Sequence, residues 1–119
     1  MSLLSLPGNV QFFLYVGNAD MRKTFEGLCG LVRNEIHQDP LSHHIYIFIN
    51  RRGTQVKLLY WEGDGFAIYH KRLEAGTFER PAADKNERQV ILTKIQLQLI
   101  LQGIKLQDLS YRKRYQRAV

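Results

Sequence analysis

The sequence predicts an α+β domain in which two helices pack on one mainly antiparallel sheet. Between Ile45 and Arg72, three runs of β-branched and aromatic residues are separated by two glycine-containing turns, Arg51-Arg52-Gly53 and Gly63-Asp64-Gly65. This composition and punctuation are typical of an antiparallel meander. Stretches on either side of the meander carry the three- and four-residue spacing of helices. A chain of 119 residues is long enough for one packed core and too short for two.

The N-terminal region predicts a leader followed by a buried strand. Pro7-Gly8 interrupts regular structure, so we expect residues 1–9 to form a flexible leader. The stretch from Val10 to Val16, VQFFLYV, is apolar at nearly every position and predicts a strand with both faces covered. Such a strand belongs in the middle of a sheet.

A first helix is predicted after this strand. Asp20 is well placed as its N-cap, and the helix should end before Asp39-Pro40. We expect one apolar face to pack on the sheet. The residues of that face are Met21, Phe25, Leu28, Val32 and Ile36, with Leu31 beside them.

The C-terminal region predicts a short strand and a second helix. The strand is Val90-Ile91-Leu92, and Thr93 and Gly103 are suited to be the N-cap and the C′ residue of the helix. Within the helix, Ile95, Leu99 and Gln102 align, with Leu97, Ile100 and Leu101 flanking them. The α+β domain is therefore expected to span residues 10–109, followed by a basic tail at 110–119.

The charge of the chain is concentrated at its C-terminus. Seventeen Lys and Arg residues against 11 Asp and Glu give a net charge of +6, and the terminal YRKRYQR holds four of the positive charges. This tail would attract a polyanion without selecting DNA over RNA, a membrane surface or an acidic protein. The single cysteine, Cys29, excludes an internal disulfide. With no secretory signal and no membrane-spanning run, the chain is expected to be cytoplasmic.

The sequence contains no recognisable catalytic or metal-binding constellation. The adjacent His43 and His44 would point to opposite faces of a strand and would not share a metal simply. Cys29 lies near the apolar face of the first helix, which favours a buried structural thiol. Glu62 and Asp64 flank a turn glycine, as in a solvated loop rather than an acid–base pair. We therefore expect no enzyme activity, no metal and no cofactor.

The first of two cationic features lies at the start of the predicted first helix. Arg22 and Lys23 would occupy its first turn, where free backbone N–H groups help to bind a phosphate. Extension of both side chains into water, or their pairing with Glu26, explains the same residues equally well.

The second cationic feature is the first hairpin of the meander. Arg51, Arg52 and Lys57 cluster there, and Tyr46, Tyr60 and Trp61 are nearby in the sequence. Cations interleaved with aromatic side chains suit nucleic-acid grooves and single strands. An aromatic core capped by a solvated turn is the alternative.

A series of motifs along the chain matches a known family. The motifs are Asp20-Met21-Arg22-Lys23, Phe25, Leu28, Asp39-Pro40, Phe48, Asn50-Arg51-Arg52-Gly53, Lys57-Leu58-Leu59-Tyr60-Trp61, Asp64-Gly65-Phe66, Lys71-Arg72-Leu73-Glu74, Gly76-Thr77-Phe78 and the stretch from Leu97 to Gly103. In their order and spacing, from about Val10 to Ile104, the chain resembles the TnpB-type accessory proteins of the insertion-sequence family numbered sixty-six. These are unrelated to the RNA-guided nuclease of the same name. His43-His44 and His70 depart from the expected pattern, and no charged motif is lost.

The resemblance implies a mobile-element protein that is encoded beside a separate transposase and assists transposition. The leading hypothesis is a non-catalytic accessory factor that binds DNA at the element ends. Its proposed nucleic-acid-binding residues are Arg22, Lys23, Arg51, Arg52, Lys57, Lys71, Arg72, Arg112, Lys113 and Arg114.

The alternative is a module that docks on the transposase or a sister accessory protein through a sheet edge or the Leu97 helix. An enzyme would instead require a pocket with converging carboxylates or histidines. Oligomeric state and strand preference stay open at this point.

Overall fold

The computed structural model describes residues 9–104 and residue 106 and has an α+β architecture, as predicted. Its elements are β1 (Phe12–Tyr15), α1 (Phe25–Leu31), β2 (Ile45–Ile49), β3 (Gln55–Trp61), β4 (Phe66–Arg72), β5 (Gln89–Leu92) and α2 (Lys94–Gln102). A π-helical turn over Val32–Ile36 extends α1 directly. The predicted tail at 110–119, with Arg112, Lys113 and Arg114, lies outside the described residues, as does all of the predicted leader except Asn9.

The strands form one sheet in the order β4-β3-β2-β1-β5. The predicted meander supplies β2, β3 and β4, and each of these pairs antiparallel with the next. Strand β1 lies between β2, to which it is parallel, and β5, to which it is antiparallel. The prediction of a central first strand is therefore confirmed. All four β1 residues are buried because helices cover both faces of the sheet.

Alternate residues of the strands feed two cores, one on each face of the sheet. On the first face, Phe13, Tyr46, Phe48 and Leu59 pack with the α1 region. On the second face, the strands pack with α2. Residues from the strands on that face are Phe12, Leu14, Ile45, Ile47, Ile49, Val56, Leu58 and Leu92. Within residues 9–104 and 106, no helix has the length and apolar character needed to cross a bilayer.

The start of the first helix differs from the prediction. Helix α1 begins at Phe25 after an N-cap at Thr24, whose side chain makes no capping hydrogen bond. Asp20 instead closes a separate turn, in which its carbonyl accepts the N–H of Lys23 at 3.0 Å and its carboxylate accepts the N–H of Arg22 at 2.9 Å. Aspartate is suited to both structures, so its local sequence did not distinguish a helix cap from an Asx turn. Phe25, predicted for the packed face, is 45% exposed.

The second helix has the predicted ends but a different buried face. Thr93 and Gln96 form a reciprocal capping box, and Gly103 ends the helix in the left-handed conformation with φ of 83°. Leu97 and Ile100 are buried, whereas Ile95 is 67% exposed. The predicted alignment of Ile95 with Leu99 does not identify the buried side, because the helix is apolar on more than one side. Its orientation is set by what it packs against, and the Leu97 side faces the core.

Candidate functional site

The turn between β2 and β3 presents two arginines on a fixed backbone. The N–H of Gly53 donates to the carbonyl of Asn50 at 3.0 Å, so Arg51 and Arg52 occupy the two central positions of a four-residue turn. The Asn50 side chain holds the turn from inside, because its Oδ1 accepts the N–H groups of Thr54 at 2.9 Å and Gln55 at 3.0 Å. Both arginines are exposed. The backbone beneath them is hydrogen-bonded and so is ordered before any ligand arrives.

A second segment, which contains Phe78 and Arg80, forms hydrogen bonds to this turn. The carbonyl of Gly53 accepts the N–H of Phe78 at 2.7 Å, and Phe78 is 2% exposed. The guanidinium of Arg80 donates to Asn18 Oδ1 at 2.7 Å and to the carbonyl of Asn50. Arg80 thus ties the loop after β1 to the arginine turn. Arg80 was not among the predicted site residues, since an arginine before Pro81 in a polar linker carries no signal of this role.

Lys57 is a buried cation that holds the loop before α1 against the sheet. It is 6% exposed, and its Nζ donates to the carbonyl of Met21 at 2.8 Å and to that of Lys23 at 2.7 Å. Among the described residues, no carboxylate lies within ion-pair distance of this ammonium. Lys57 was predicted to contact nucleic acid, but the geometry makes it a support beneath the loop rather than an exposed contact.

The loop held by Lys57 carries Arg22 and Lys23, both exposed. Arg22 forms a two-pronged ion pair with Asp20, with its closest nitrogen 2.7 Å from Oδ2. Hydrogen bonds from the Arg22 side chain, and then from its backbone, lower the pKa of Asp20 to about 2. Both backbone N–H groups that the sequence analysis expected to be free for a phosphate are thus bonded to Asp20. These two N–H groups are therefore not free to bind an anion.

These segments meet at one end of the sheet, where β2 and β4 finish and β3 begins. Five predicted site residues are exposed there, and we call them the basic end: Arg22, Lys23, Arg51, Arg52 and Arg72. Arg72 pairs with Glu74 at 3.2 Å, with both side chains largely exposed. Lys71 lies on the opposite face, opposite Val56, and its Nζ donates to the carbonyl of Leu101 at 3.3 Å. It is therefore not part of this group.

The aromatic residues expected beside the arginines lie elsewhere. Tyr46 is fully buried, stacked on Phe13 with ring centroids 5.5 Å apart. Burial raises the pKa of its hydroxyl, which bonds Ser42 and the carbonyl of Asp39. Tyr60 and Trp61 end β3, six strand positions or more from the arginine turn, a separation of roughly 20 Å. The cations and the aromatic residues, which are close together in the sequence, are thus two separate groups toward opposite ends of the sheet.

The remaining chemical candidates form no site among the described residues. Cys29 is buried, as predicted, and burial raises the pKa of its thiol, which keeps it protonated. His43 and His44 precede β2 with ring centroids 4.7 Å apart, and His44 Nδ1 accepts the N–H of Gln11 at 3.0 Å. Within residues 9–104 and 106, no three His, Cys, Asp or Glu side chains converge as a metal site.

The fold and the basic end define a small α+β protein that presents cations from preformed loops at one end of a sheet. The family of IS66 Orf2 like proteins matches residues 10–111, and the chain belongs to this family. This confirms the resemblance seen in the sequence and implies an accessory role in insertion-sequence transposition.

Two curated relatives come from Sinorhizobium fredii (strain NBRC 101917 / NGR234). "Uncharacterized protein y4hO" is 30% identical over 96 residues, which cover 81% of this chain and 82% of the relative. "Uncharacterized protein y4jC" is 34% identical over 62 residues, which cover 52% and 53% of the two chains. No solved structure matches the chain significantly.

Proposed function

We propose that this protein is a non-catalytic accessory factor of transposition that binds the backbone of duplex DNA through the basic end. The observation that carries the proposal is the β2–β3 turn, where two exposed arginines sit at the central positions of a hydrogen-bonded turn. Arginine binds phosphate oxygens in a two-pronged geometry. Because the turn is already ordered, little conformational entropy is lost when a phosphate is bound.

The distribution of charge around the turn supports the same function. Among residues 9–104 and 106, Lys23, Arg51 and Arg52 have no carboxylate within ion-pair distance. Arg22 and Arg72 have exposed partners, and such pairs contribute little free energy and exchange readily for a phosphate. Five cations within one region would give affinity for DNA that is independent of sequence and sensitive to salt.

The position of the aromatic residues favours duplex over single-stranded DNA. Proteins that bind single strands combine a basic groove with aromatic side chains on which the bases stack. Here Tyr46 is buried, and Tyr60 and Trp61 lie at the far end of β3. Among the described aromatic side chains, Phe25, 45% exposed and two residues from Lys23, is the one most exposed, and Tyr69, three residues before Arg72, is 37% exposed.

The test is a salt titration of the full chain on element-end DNA. The double variant Arg51→Ala/Arg52→Ala should bind duplex at least ~10-fold more weakly, because charge-assisted contacts are lost. The slope of log K against log salt should become shallower by about 2, since two phosphate contacts are removed. Phe25→Ala should leave duplex affinity unchanged.

A matched control is available at the opposite end of the sheet. Lys94 is exposed at the start of α2, just after Leu92, which pairs with the first residue of β1. Lys94→Ala removes one charge far from the basic end and should leave the salt slope unchanged. Tight binding that is insensitive to salt and to the arginine substitutions would contradict the proposal. Tighter binding to single strands, lost in Phe25→Ala, would contradict the duplex assignment alone.

Docking on the transposase or a sister protein is the second candidate. The Leu97 face of α2 does not support it, because Leu97 and Ile100 are buried in the core. The outer edge of β4 does support it, since no strand pairs with that edge among the described residues. Co-purification with the transposase after nuclease treatment, without measurable affinity for element ends, would favour this function over DNA binding.

A further inference from the structure

Strand β4 is an open sheet edge of unusual charge pattern. It is one of two edges of the sheet, and at seven residues it is longer than β5, which has four. The 82–87 loop lies near the β5 edge, because Ala83 and Glu87 line the same recess as Val90 and Ile91. In the part of the chain that the structure describes, no strand pairs with the outer side of β4. An edge of this length is a template for pairing with another strand.

The two ends of β4 carry opposite charge. The turn that enters the strand contains Glu62 and Asp64 and is closed by the N–H of Glu62 donating to the carbonyl of Gly65 at 2.8 Å. The strand leaves through Lys71 and Arg72. Parallel pairing of two such strands would bring like charges together. Antiparallel pairing would bring the acidic end of each strand to the basic end of the other.

We infer that β4 pairs antiparallel with β4 of a second copy of this chain, which joins the two sheets across a two-fold axis. A two-fold interface is self-complementary, so one polarised strand supplies both halves of the charge match. A partner with two acidic ends, or two basic ends, would match only half of this edge.

The side-chain pattern selects one register. A two-fold axis perpendicular to the sheet leaves each side chain on the same face of the sheet in both copies. The residue at the centre of the paired strands therefore lies opposite the same residue of the second copy. With Ile68 at the centre, Phe66 lies opposite His70 and Ala67 opposite Tyr69 within the strand. Asp64, in the turn that precedes β4, then comes level with Arg72 at the end of the partner strand. Lys71 then lies opposite Gly65, and no cation faces a cation. The apolar residues pair near the axis, where cross-strand contacts are best shielded from water.

The test is the solution mass of the full chain, measured by light scattering over a range of concentrations. We expect a dimer. Asp64→Arg and Arg72→Asp each break both symmetry-related pairs and should weaken dimerisation about tenfold. The double variant Asp64→Arg/Arg72→Asp should restore it. Asp64 and Arg72 are both exposed, so the variants are expected to fold.

A second measurement fixes the register. Ile68→Cys should form an intermolecular disulfide under mild oxidation, because the two copies of residue 68 would be direct neighbours across the axis. Wild type is the control, since its Cys29 is buried. A monomer at ~100 μM, where a dimer with a Kd of ~10 μM would predominate, would overturn the inference. So would a dimer that is indifferent to both charge reversals and gives no disulfide at position 68.

Discussion

Asp20 determines the shape of the segment that carries Arg22 and Lys23. One oxygen of its carboxylate accepts the backbone N–H of Arg22 at 2.9 Å, and both oxygens accept the Arg22 side chain. Its backbone carbonyl accepts the N–H of Lys23. A single residue therefore closes the turn and aligns one of the exposed cations. A serine or asparagine at this position would retain the turn and lose the ion pair.

The ionisation of Asp20 should report on this turn. Its pKa is about 2, below the ordinary 3.8, chiefly because of the hydrogen bond from the Arg22 side chain. A carboxyl group with a lowered folded-state pKa stabilises the fold fully above its ordinary pKa. That contribution is lost as the pH falls toward about 2.

Arg22→Ala should return the pKa of Asp20 toward 3.8, which can be measured by NMR of the carboxyl carbon. Arg22→Lys should give an intermediate value, because charge is kept without the two-pronged geometry. An unchanged pKa in Arg22→Ala would refute this account.

The β2–β3 hairpin shows how an element is fixed by more than its own residues. Asn50 organises the turn from within, whereas Gly53 joins it to the chain around Phe78. Gly53 has φ of +73°, and a Cβ there would lie 3.3 Å from the Cβ of Thr77. Glycine is required here both for the backbone conformation and for the close approach.

Gly53→Ala should destabilise the protein by about 2 kcal/mol or more, because a left-handed conformation costs an alanine about 1–2 kcal/mol and the Thr77 contact adds to it. Gly63→Ala is the matched control, since Gly63 has φ of +95° with nothing within 4 Å of its added Cβ. The loss of stability in Gly63→Ala should therefore reflect the cost of the left-handed backbone conformation alone. Gly65→Ala, also with open space, should be near neutral. Urea unfolding measures all three. Equal losses for Gly53→Ala and Gly63→Ala would mean that the Thr77 contact is unimportant.

For the whole molecule, the decisive feature is that separate parts of the chain bring their cations to one end of the sheet. The register places Arg72 opposite Gln55, beside the arginine turn. The parallel pairing of β1 with β2 makes both strands finish at this end, so the loop after β1 starts there. Lys57 then holds that loop across the sheet through bonds to residues 34 and 36 positions away.

Lys57→Met should test this long-range support. Methionine retains the apolar stem but donates no hydrogen bond, so the loop from Asp20 to Lys23 should loosen. Amide exchange should rise at Lys23 and Ala19 while the N–H of Gly53 stays protected. The free energy of unfolding should fall by at most ~1–2 kcal/mol, because methionine also removes the desolvation cost of a buried ammonium. Lys23→Ala, which removes an exposed charge from the same loop, should leave exchange unchanged. Unaltered exchange in Lys57→Met would rule out the support role.

Much of the fold followed from local sequence. The meander, the short strand at Val90 and the ends of α2 were predicted correctly, because β-branched runs, turn glycines and a capping box act over a few residues. The buried face of α2 was not, since Ile95 and Leu97 are equally apolar and only contact with the sheet distinguishes them. The start of α1 was misplaced because Asp20 is equally suited to a cap and to an Asx turn.

By itself, the sequence determined the α+β class, the arginine turn and, through its motifs, the family. Only the tertiary structure decided which cations are available. Lys57 is buried and Lys71 lies on the opposite face, whereas Arg22 and Arg51 meet at one end of the sheet. The physical reason is the range over which the interactions act along the chain. Turn formation and strand propensity depend on neighbouring residues, whereas the exposure of a charge depends on hydrogen bonds made across the fold, and these depend on how the strands are ordered.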